Sequence, residues 1–147
     1  MSVFIIAEAG VNHNGSLDTA LQLVDAAADA GADAVKFQTF TAERLVRRNA
    51  PKAEYQKQTT GACESQYEML RHLELPRAAH GTLLERCVAR RIDFLSTPFD
   101  EESLDFLTDD LALRTIKLGS GEVTNGPLLL RTARQGVDVI LSTGMST

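Results

Sequence analysis

The sequence has no tryptophan, only two cysteines and aromatic residues at 5% of its length. Cys63 and Cys87 lack the spacing of a zinc-binding set, which excludes a cysteine-based structural metal site. The two could form a disulfide, but nothing else in the sequence indicates secretion. We therefore expect reduced thiols and a cytoplasmic location.

Long apolar runs and basic blocks are also missing. No run approaches the ~20 apolar residues of a membrane helix. The apolar run at residues 3–7 is too short for the core of a signal peptide, and no basic residues precede it. Basic pairs occur only at Arg47-Arg48 and Arg90-Arg91, and the formal net charge is −5. We therefore expect a protein that binds neither membranes nor nucleic acids.

The 147 residues are 44% hydrophobic and 24% charged, which is typical of one globular domain with its own core. Short apolar runs alternate with helical periodicity. The predicted strands are 3–7, 34–38, 92–95, 113–118 and 137–141. The predicted helices are 17–30, 66–73, 78–91, 99–109 and 127–135. This alternation predicts an α/β fold with a parallel sheet.

Several details follow from the same patterns. The strand at 3–7 is continuously apolar and is predicted to be buried on both faces. Ser16 is the predicted N-cap of the first helix, and Gly31 its end. The predicted buried helix faces are Leu83, Leu84, Cys87 and Val88 in one helix and Leu128, Leu129 and Ala133 in another.

Polar side chains follow each predicted strand at its carboxyl end. They are Glu8, then Lys36 and Gln38, then Ser96 and Thr97, then Lys117, Ser120 and Glu122, then Ser142 and Thr143. Ligands bind at this edge of parallel sheets and barrels. Polar loops alone would explain the hydroxyls, but not Lys36, which lies inside an apolar run where an unpaired charge is costly. We therefore predict one shared site.

The segment TIKLGSGEVTN, residues 115–125, indicates which ligand this site takes. Lys117 supplies a positive charge, and the glycines around Ser120 let backbone N–H groups approach an anion. Glu122 places a carboxylate beside them, suited to proton transfer or to a metal-bound water. The pattern predicts an anion site with a carboxylate at its border.

Other motifs indicate less. His13 is predicted to be a turn residue near the site, bonded to backbone, while His72 and His80 are predicted to be surface or interface residues. Residues 10–15 lack the spacing of a dinucleotide fingerprint. Ser120 lacks the G-x-S-x-G setting of a hydrolase nucleophile.

The chain resembles the sialic acid synthase family, the N-acetylneuraminate, legionaminate and pseudaminate synthases. The matching stretches are IIAEAGVNHNGS (5–16), AVKFQTF (34–40), NAPKAEYQK (49–57), FLSTPFDEES (94–103), IKLGSGEVTN (116–125) and ILSTGM (140–145). They follow the family order over almost the whole chain, and together they are specific.

The resemblance implies a (β/α)8 TIM barrel that condenses phosphoenolpyruvate with N-acetylmannosamine or a related N-acyl hexosamine. It also implies a divalent metal, Mn²⁺ or Mg²⁺, and a homodimer in the full-length enzyme. Carried over by position, the phosphoenolpyruvate contacts are Lys36, Thr97, Lys117, Ser120 and Ser142. The resemblance also makes Glu8 and Glu122 the expected catalytic carboxylates. It implies that Glu8 and Gln38 lie near the sugar or the reacting carbons, and that Glu122 lies near the acceptor aldehyde and the metal.

The chain departs from the family in extent. It provides about five of eight barrel strands, and the family's metal-ligating histidines lie on later strands, so no residue here is assigned as a ligand. Residues 1–147 are therefore expected to be the N-terminal portion of the barrel domain. The remaining strands and a C-terminal domain resembling antifreeze protein are expected to be absent, leaving a fragment that is inactive alone.

Three alternatives remain open at this stage. The first is another barrel synthase that condenses phosphoenolpyruvate into seven- or eight-carbon sugar acids. The second is a non-catalytic half-barrel that assembles with another half. The third is a small binding domain with a five-stranded flavodoxin-like sheet.

Overall fold

The computed structural model describes residues 3–48, 65–144 and 146, which form an α/β unit and confirm the predicted class. The strands are β1 (Ile6–Gly10), β2 (Ala34–Thr39), β3 (Asp93–Pro98), β4 (Thr115–Leu118) and β5 (Asp138–Leu141). The helices are α1 (Leu17–Asp29), α2 (Ala42–Leu45), α3 (Gln66–Leu73), α4 (Arg77–Arg90), α5 (Glu101–Asp105) and α6 (Gly126–Arg134). A π-helical turn, Phe106–Asp110, extends α5, and a 3-10 turn, Ser120–Glu122, follows β4.

The described strands are all parallel. Ladder hydrogen bonds join β1, β2 and β3 in that order, and β4 pairs with β5. β4 lies beside β3, although no ladder connects these two strands in the described ranges. Chain order is the arrangement expected when each helical crossover returns to the neighbouring position. This order differs from the 2-1-3 order of a flavodoxin-like sheet, whereas closure into an eight-stranded barrel stays a prediction.

Helices cover one face of the strands and form the core there. Side chains at alternate positions, among them Val35, Phe37 and Ile116, are buried together with Leu83 of α4. The rings of Phe37 and Phe94 stack with their centroids 5.7 Å apart. Because strand side chains alternate between faces, the residues between these positions belong to the opposite face.

The predicted helix ends are confirmed where local chemistry decides them. The Ser16 hydroxyl accepts a hydrogen bond from the Thr19 N–H at 3.2 Å and caps α1. After α1, Gly31 takes a positive φ of 77°, which other residues adopt only with strain. A capping box between Ser65 and Glu68 begins α3.

The predicted limits of β1 are wrong. Residues 3–5 lie outside the strand and are exposed, whereas β1 begins at Ile6 because its partner strand begins opposite it, at Ala34. The strand then continues to Gly10 through a bulge at Ala9, where two residues of β1 oppose one step of β2. The beginning of β1 therefore depends on a neighbour that local sequence does not reveal.

β3 is longer than predicted. It continues to Pro98, so Ser96 and Thr97 lie inside the strand and not after it. Pairing with β2 through Thr39 carries the ladder this far. The two polar side chains are therefore fixed by the sheet, on opposite faces of it.

Two predicted helix faces are partly wrong. Val88 is 72% exposed, because α4 turns the Leu83–Cys87 line towards the core and Val88 lies beyond it. Ala133 is exposed, and Thr132 takes the buried place one turn after Leu128. The Thr132 hydroxyl can be buried because it donates to the Leu128 carbonyl at 2.8 Å.

Some predictions concern residues that the structure does not describe. The stretch at 49–57 and Cys63 lie outside the described residues. Within those residues, no helix combines the length and apolar character needed to cross a bilayer.

Candidate functional site

Predicted site residues on β1, β2 and β3 share the face opposite the helices. Glu8 is in register with Lys36, and Gln38 is in register with Thr97. In a parallel ladder, paired residues point to the same side. The first three strands thus place a carboxylate, an ammonium group, an amide and a hydroxyl together.

β4 and β5 continue this open face. Lys117 lies between Ile116 and Leu118, which are both buried in the helix-covered core. Alternation therefore places Lys117 on the other side. Lys117 is in register with Ile140, two residues before Ser142, so Ser142 follows on the same side.

Lys36 and Glu8 form the central ion pair. The Lys36 Nζ lies 2.9 Å from Oε1 and 2.7 Å from Oε2 of Glu8. The Lys36 side chain is 10% exposed, whereas that of Glu8 is 56% exposed. Burial of the lysine is thus compensated by a carboxylate that solvent and ligands still reach.

Lys117 adds a second positive charge without an acidic partner of its own among the described ion pairs. Its Nζ donates to the Leu118 carbonyl at 2.7 Å. Burial lowers the pKa of Lys117, the charge of Lys36 lowers it further, and Glu8 acts in the opposite direction. Two ammonium groups therefore share one carboxylate, and an anion bound here would relieve their repulsion.

Thr97 brings a buried hydroxyl to the same face. It is 3% exposed, and its Oγ1 has no hydrogen-bond partner within the described part of the chain. Leaving a buried polar atom unpaired costs about 1–3 kcal/mol. A ligand oxygen that bonds to Thr97 would remove this cost.

Gly10 closes the edge of the site next to Glu8. Its φ is +52°, and a Cβ at this position would lie 3.2 Å from Glu8 Oε1 and 3.6 Å from Gln38 Nε2. The Gln38 amide therefore lies beside the Glu8 carboxylate, with the Gly10 backbone against both. Sequence reasoning missed this role, although a glycine two residues after Glu8 was the available signal.

The remaining site residues lie in the turns after β4 and β5. Ser120 and Glu122 are half-buried in the 3-10 turn, and the Glu122 Oε2 accepts from Asn125 Nδ2 at 2.7 Å. Ser142 is half-buried, and its N–H donates to the Leu118 carbonyl. In the described hydrogen-bond network, none of the three bonds directly to the Lys36–Glu8 pair. The structure thus places them at the same edge without joining them to its centre.

His13 lies on the helix-covered face, not in the open site. Its ring centroid is 6.1 Å from that of Phe37, and Nδ1 accepts from the Gly15 N–H at 3.0 Å. The predicted backbone bond is confirmed. Burial lowers the pKa of His13, and the charge of His80 lowers it further.

His80 was predicted to lie at a surface, and this is wrong. It is 1% exposed, and its Nε2 lies 3.1 Å from the Thr39 hydroxyl, which in turn contacts the Ser96 hydroxyl at 2.7 Å. Thr39 and Ser96 point to the helix-covered side, and α4 brings His80 to them. Burial also lowers the pKa of His80.

A comparison with protein families places the chain among known proteins. The model of the NeuB family matches residues 23–147. The chain belongs to the NeuB family. The resemblance to sialic acid synthases inferred from the motifs is therefore confirmed.

Two relatives show how widely NeuB proteins share this region. The chain is 52% identical over 145 residues to the N,N'-diacetyllegionaminic acid synthase of Legionella pneumophila, covering 99% of this chain and 40% of that protein. It is 34% identical over 145 residues to the human N-acetylneuraminate-9-phosphate synthase, covering 98% and 40%. The chain thus spans less than half the length of these relatives.

A solved structure shows the same fold. The chain matches the N-acetylneuraminic acid (sialic acid) synthetase of Leptospira borgpetersenii serovar Hardjo-bovis, solved in complex with citrate, with a TM-score of 0.84 and 35% identity. The match covers 100% of this chain and 46% of that one. The Bacillus subtilis spore coat polysaccharide biosynthesis protein spsE matches with a TM-score of 0.74 and 40% identity, covering 98% and 37%.

Proposed function

We propose that this chain is the N-terminal part of a (β/α)8 barrel in a synthase that condenses phosphoenolpyruvate with an N-acyl hexosamine such as N-acetylmannosamine. The products are a nine-carbon α-keto sugar acid and phosphate. Support comes from NeuB relatives that are named as sugar acid synthases. In this proposal the remaining barrel strands and a C-terminal domain resembling antifreeze protein would lie in the full-length protein outside residues 1–147.

The observation that carries the proposal is the charge arrangement on the open face. Lys117 lacks an acidic partner of its own among the described ion pairs, and its pKa is lowered by burial and by Lys36. The Thr97 hydroxyl is buried on the same face, with no hydrogen-bond partner in the described part of the chain. Phosphoenolpyruvate carries a phosphate and a carboxylate, which match two ammonium groups and a hydroxyl donor. In this proposal Ser120 and Ser142 complete its contacts.

The two carboxylates serve the acceptor. Carbon 3 of phosphoenolpyruvate attacks the open-chain aldehyde of the sugar and forms the new C–C bond. Water adds at carbon 2, and phosphate leaves with cleavage of its C–O bond. Glu122 guides ring opening or activates this water, while Glu8 and Gln38 lie near the sugar or the reacting carbons. The lysines stabilise the negative charge of the phosphate as it leaves.

The described residues contain no group of three or more histidine, cysteine, aspartate or glutamate side chains that could hold a metal ion. The Mn²⁺ or Mg²⁺ implied by the resemblance stays a prediction for the full-length synthase. The homodimer and the cytoplasmic location stay predictions.

Calorimetric titration with phosphoenolpyruvate tests the binding half of this proposal. Lys117→Met should weaken affinity about tenfold or more, because it removes one charge-assisted contact. Arg114→Met is the matched control, since it removes a positive charge just before the start of the same strand. The affinity of this variant should stay within about twofold of the wild-type value. Equal losses in the two variants would contradict the site.

The catalytic half is tested in the full-length protein. Phosphate release and mass spectrometry should show a nine-carbon keto acid formed from phosphoenolpyruvate and N-acetylmannosamine or its N-acyl relatives. Phosphate release without a new C–C bond would reject the proposed reaction.

A further inference from the structure

Asn125 makes two hydrogen bonds with one side-chain amide. Its Nδ2 donates to the Glu122 Oε2 at 2.7 Å. Its Oδ1 accepts from the Leu128 N–H at 3.3 Å and so caps α6. The same side chain therefore connects a carboxylate of the site to the first turn of a helix.

The backbone holds Asn125 in place for both bonds. The Asn125 N–H donates to the Glu122 carbonyl at 2.9 Å, and the Glu122 N–H donates to the Gly119 carbonyl at 3.1 Å. The Leu129 N–H donates to the Asn125 carbonyl, so α6 continues directly from this residue. The turn fixes the Cα of Glu122, but its carboxylate has free χ angles unless the amide restrains them.

We propose that Asn125 is a positioning residue, which orients the Glu122 carboxylate from the rigid start of α6. This inference rests on the proposed function, in which Glu122 acts on the sugar or on the attacking water. Loss of the amide leaves the Glu122 charge in the site but removes its fixed orientation. The lysines that bind phosphoenolpyruvate lie on the strands and are unaffected, so turnover changes while binding does not.

Substitution by serine separates the two bonds of Asn125. Asn125→Ser keeps an oxygen suited to capping α6 but removes the amide donor to Glu122. Asn125→Ala removes both bonds. In the full-length protein, both variants should lower kcat about tenfold and leave KM for phosphoenolpyruvate within about twofold. Only Asn125→Ala should also lower the melting temperature.

A double variant shows whether the effect passes through Glu122. Adding Asn125→Ser to Glu122→Gln should lower kcat no further than Glu122→Gln alone. Wild-type kcat in Asn125→Ser, additive losses in the double variant, or a kcat loss that follows the loss of stability would each overturn the inference.

A spectroscopic measurement keeps this test separate from the proposed function. In ¹⁵N-correlated NMR spectra, Glu122→Ala should shift the side-chain amide protons of Asn125, whereas the distant control Glu43→Ala should not. If the full-length protein formed no sugar acid, the proposed function would fail, but this shift would still report the contact. Unchanged Asn125 signals would overturn the positioning role.

Discussion

Replacing Glu8 by glutamine tests how the fold accommodates the buried charge of Lys36. The Lys36 side chain is 10% exposed, and its Nζ lies 2.7 Å from a carboxylate oxygen of Glu8. Glutamine keeps the size of the side chain and can still accept one hydrogen bond. The substitution therefore removes mainly the compensating charge.

The size of the effect follows from the unequal burial of the two partners. Breaking a fully buried pair costs about 3–5 kcal/mol, and an exposed pair is worth about 0–1 kcal/mol. Lys36 is buried but Glu8 is 56% exposed, so water screens the pair and we expect an intermediate loss of about 2 kcal/mol. For a chain of this size that lowers the melting temperature by about 4–8 °C.

A double-mutant cycle with Lys36→Met measures the interaction itself. Methionine has a similar length but no charge, so Glu8→Gln should cost almost nothing in its background. Urea and thermal denaturation of the four proteins give the coupling free energy. Glu43→Gln is the control, because it breaks an exposed pair with Arg48 and should leave the melting temperature unchanged. A coupling free energy near zero would refute this account of Lys36.

Three further predictions concern the same fold. Gly10→Ala should destabilise the chain by about 1–2 kcal/mol in denaturant titrations, because the φ of Gly10 is +52° and the new Cβ would meet Glu8. An unchanged free energy of unfolding would contradict this prediction. Burial lowers the pKa of His13 and of His80. Just below the ordinary pKa of 6.5, these histidines therefore bind protons in the unfolded chain but not in the folded chain. The free energy of unfolding should therefore keep its full value above about pH 6.5 and fall as the pH drops towards the lower pKa values of the folded chain. Urea midpoints that stay level from pH 8 to pH 5 would argue against this prediction. Burial raises the pKa of the Cys87 thiol to about 12. In a Cys63→Ser variant, which leaves Cys87 as the one thiol, a disulfide reagent at pH 8 should therefore label the chain only after denaturation. Rapid labelling of the native variant would count against a buried thiol.

The open face could be predicted because its chemistry has a period of two. Lys36 and Gln38 interrupt an apolar run at alternate positions, which places them together on one side of β2 wherever the strand packs. The buried charge of Lys36 requires a compensating charge, and Glu8 supplies it across the ladder. Local pattern and general electrostatics were sufficient for this part of the site.

Features that depend on distant parts of the chain were not predictable in this way. The beginning of β1 is set by pairing with Ala34, and the burial of His80 is set by the hydroxyls of Thr39 and Ser96. In each case the missing information is a contact that local sequence does not encode.

The bulge at Ala9 separates the Glu8–Lys36 pairing from the packing of the turn that follows β1. In an unbroken ladder, Ala9 would pair with Phe37; here Ala9 is the extra residue and Gly10 takes that position. Before the bulge, Glu8 stays in register with Lys36. After it, the turn brings the His13 ring to the core side, with its centroid 6.1 Å from that of Phe37. The ladder therefore sets the charge pair, and the turn packs against the core one residue out of step with it.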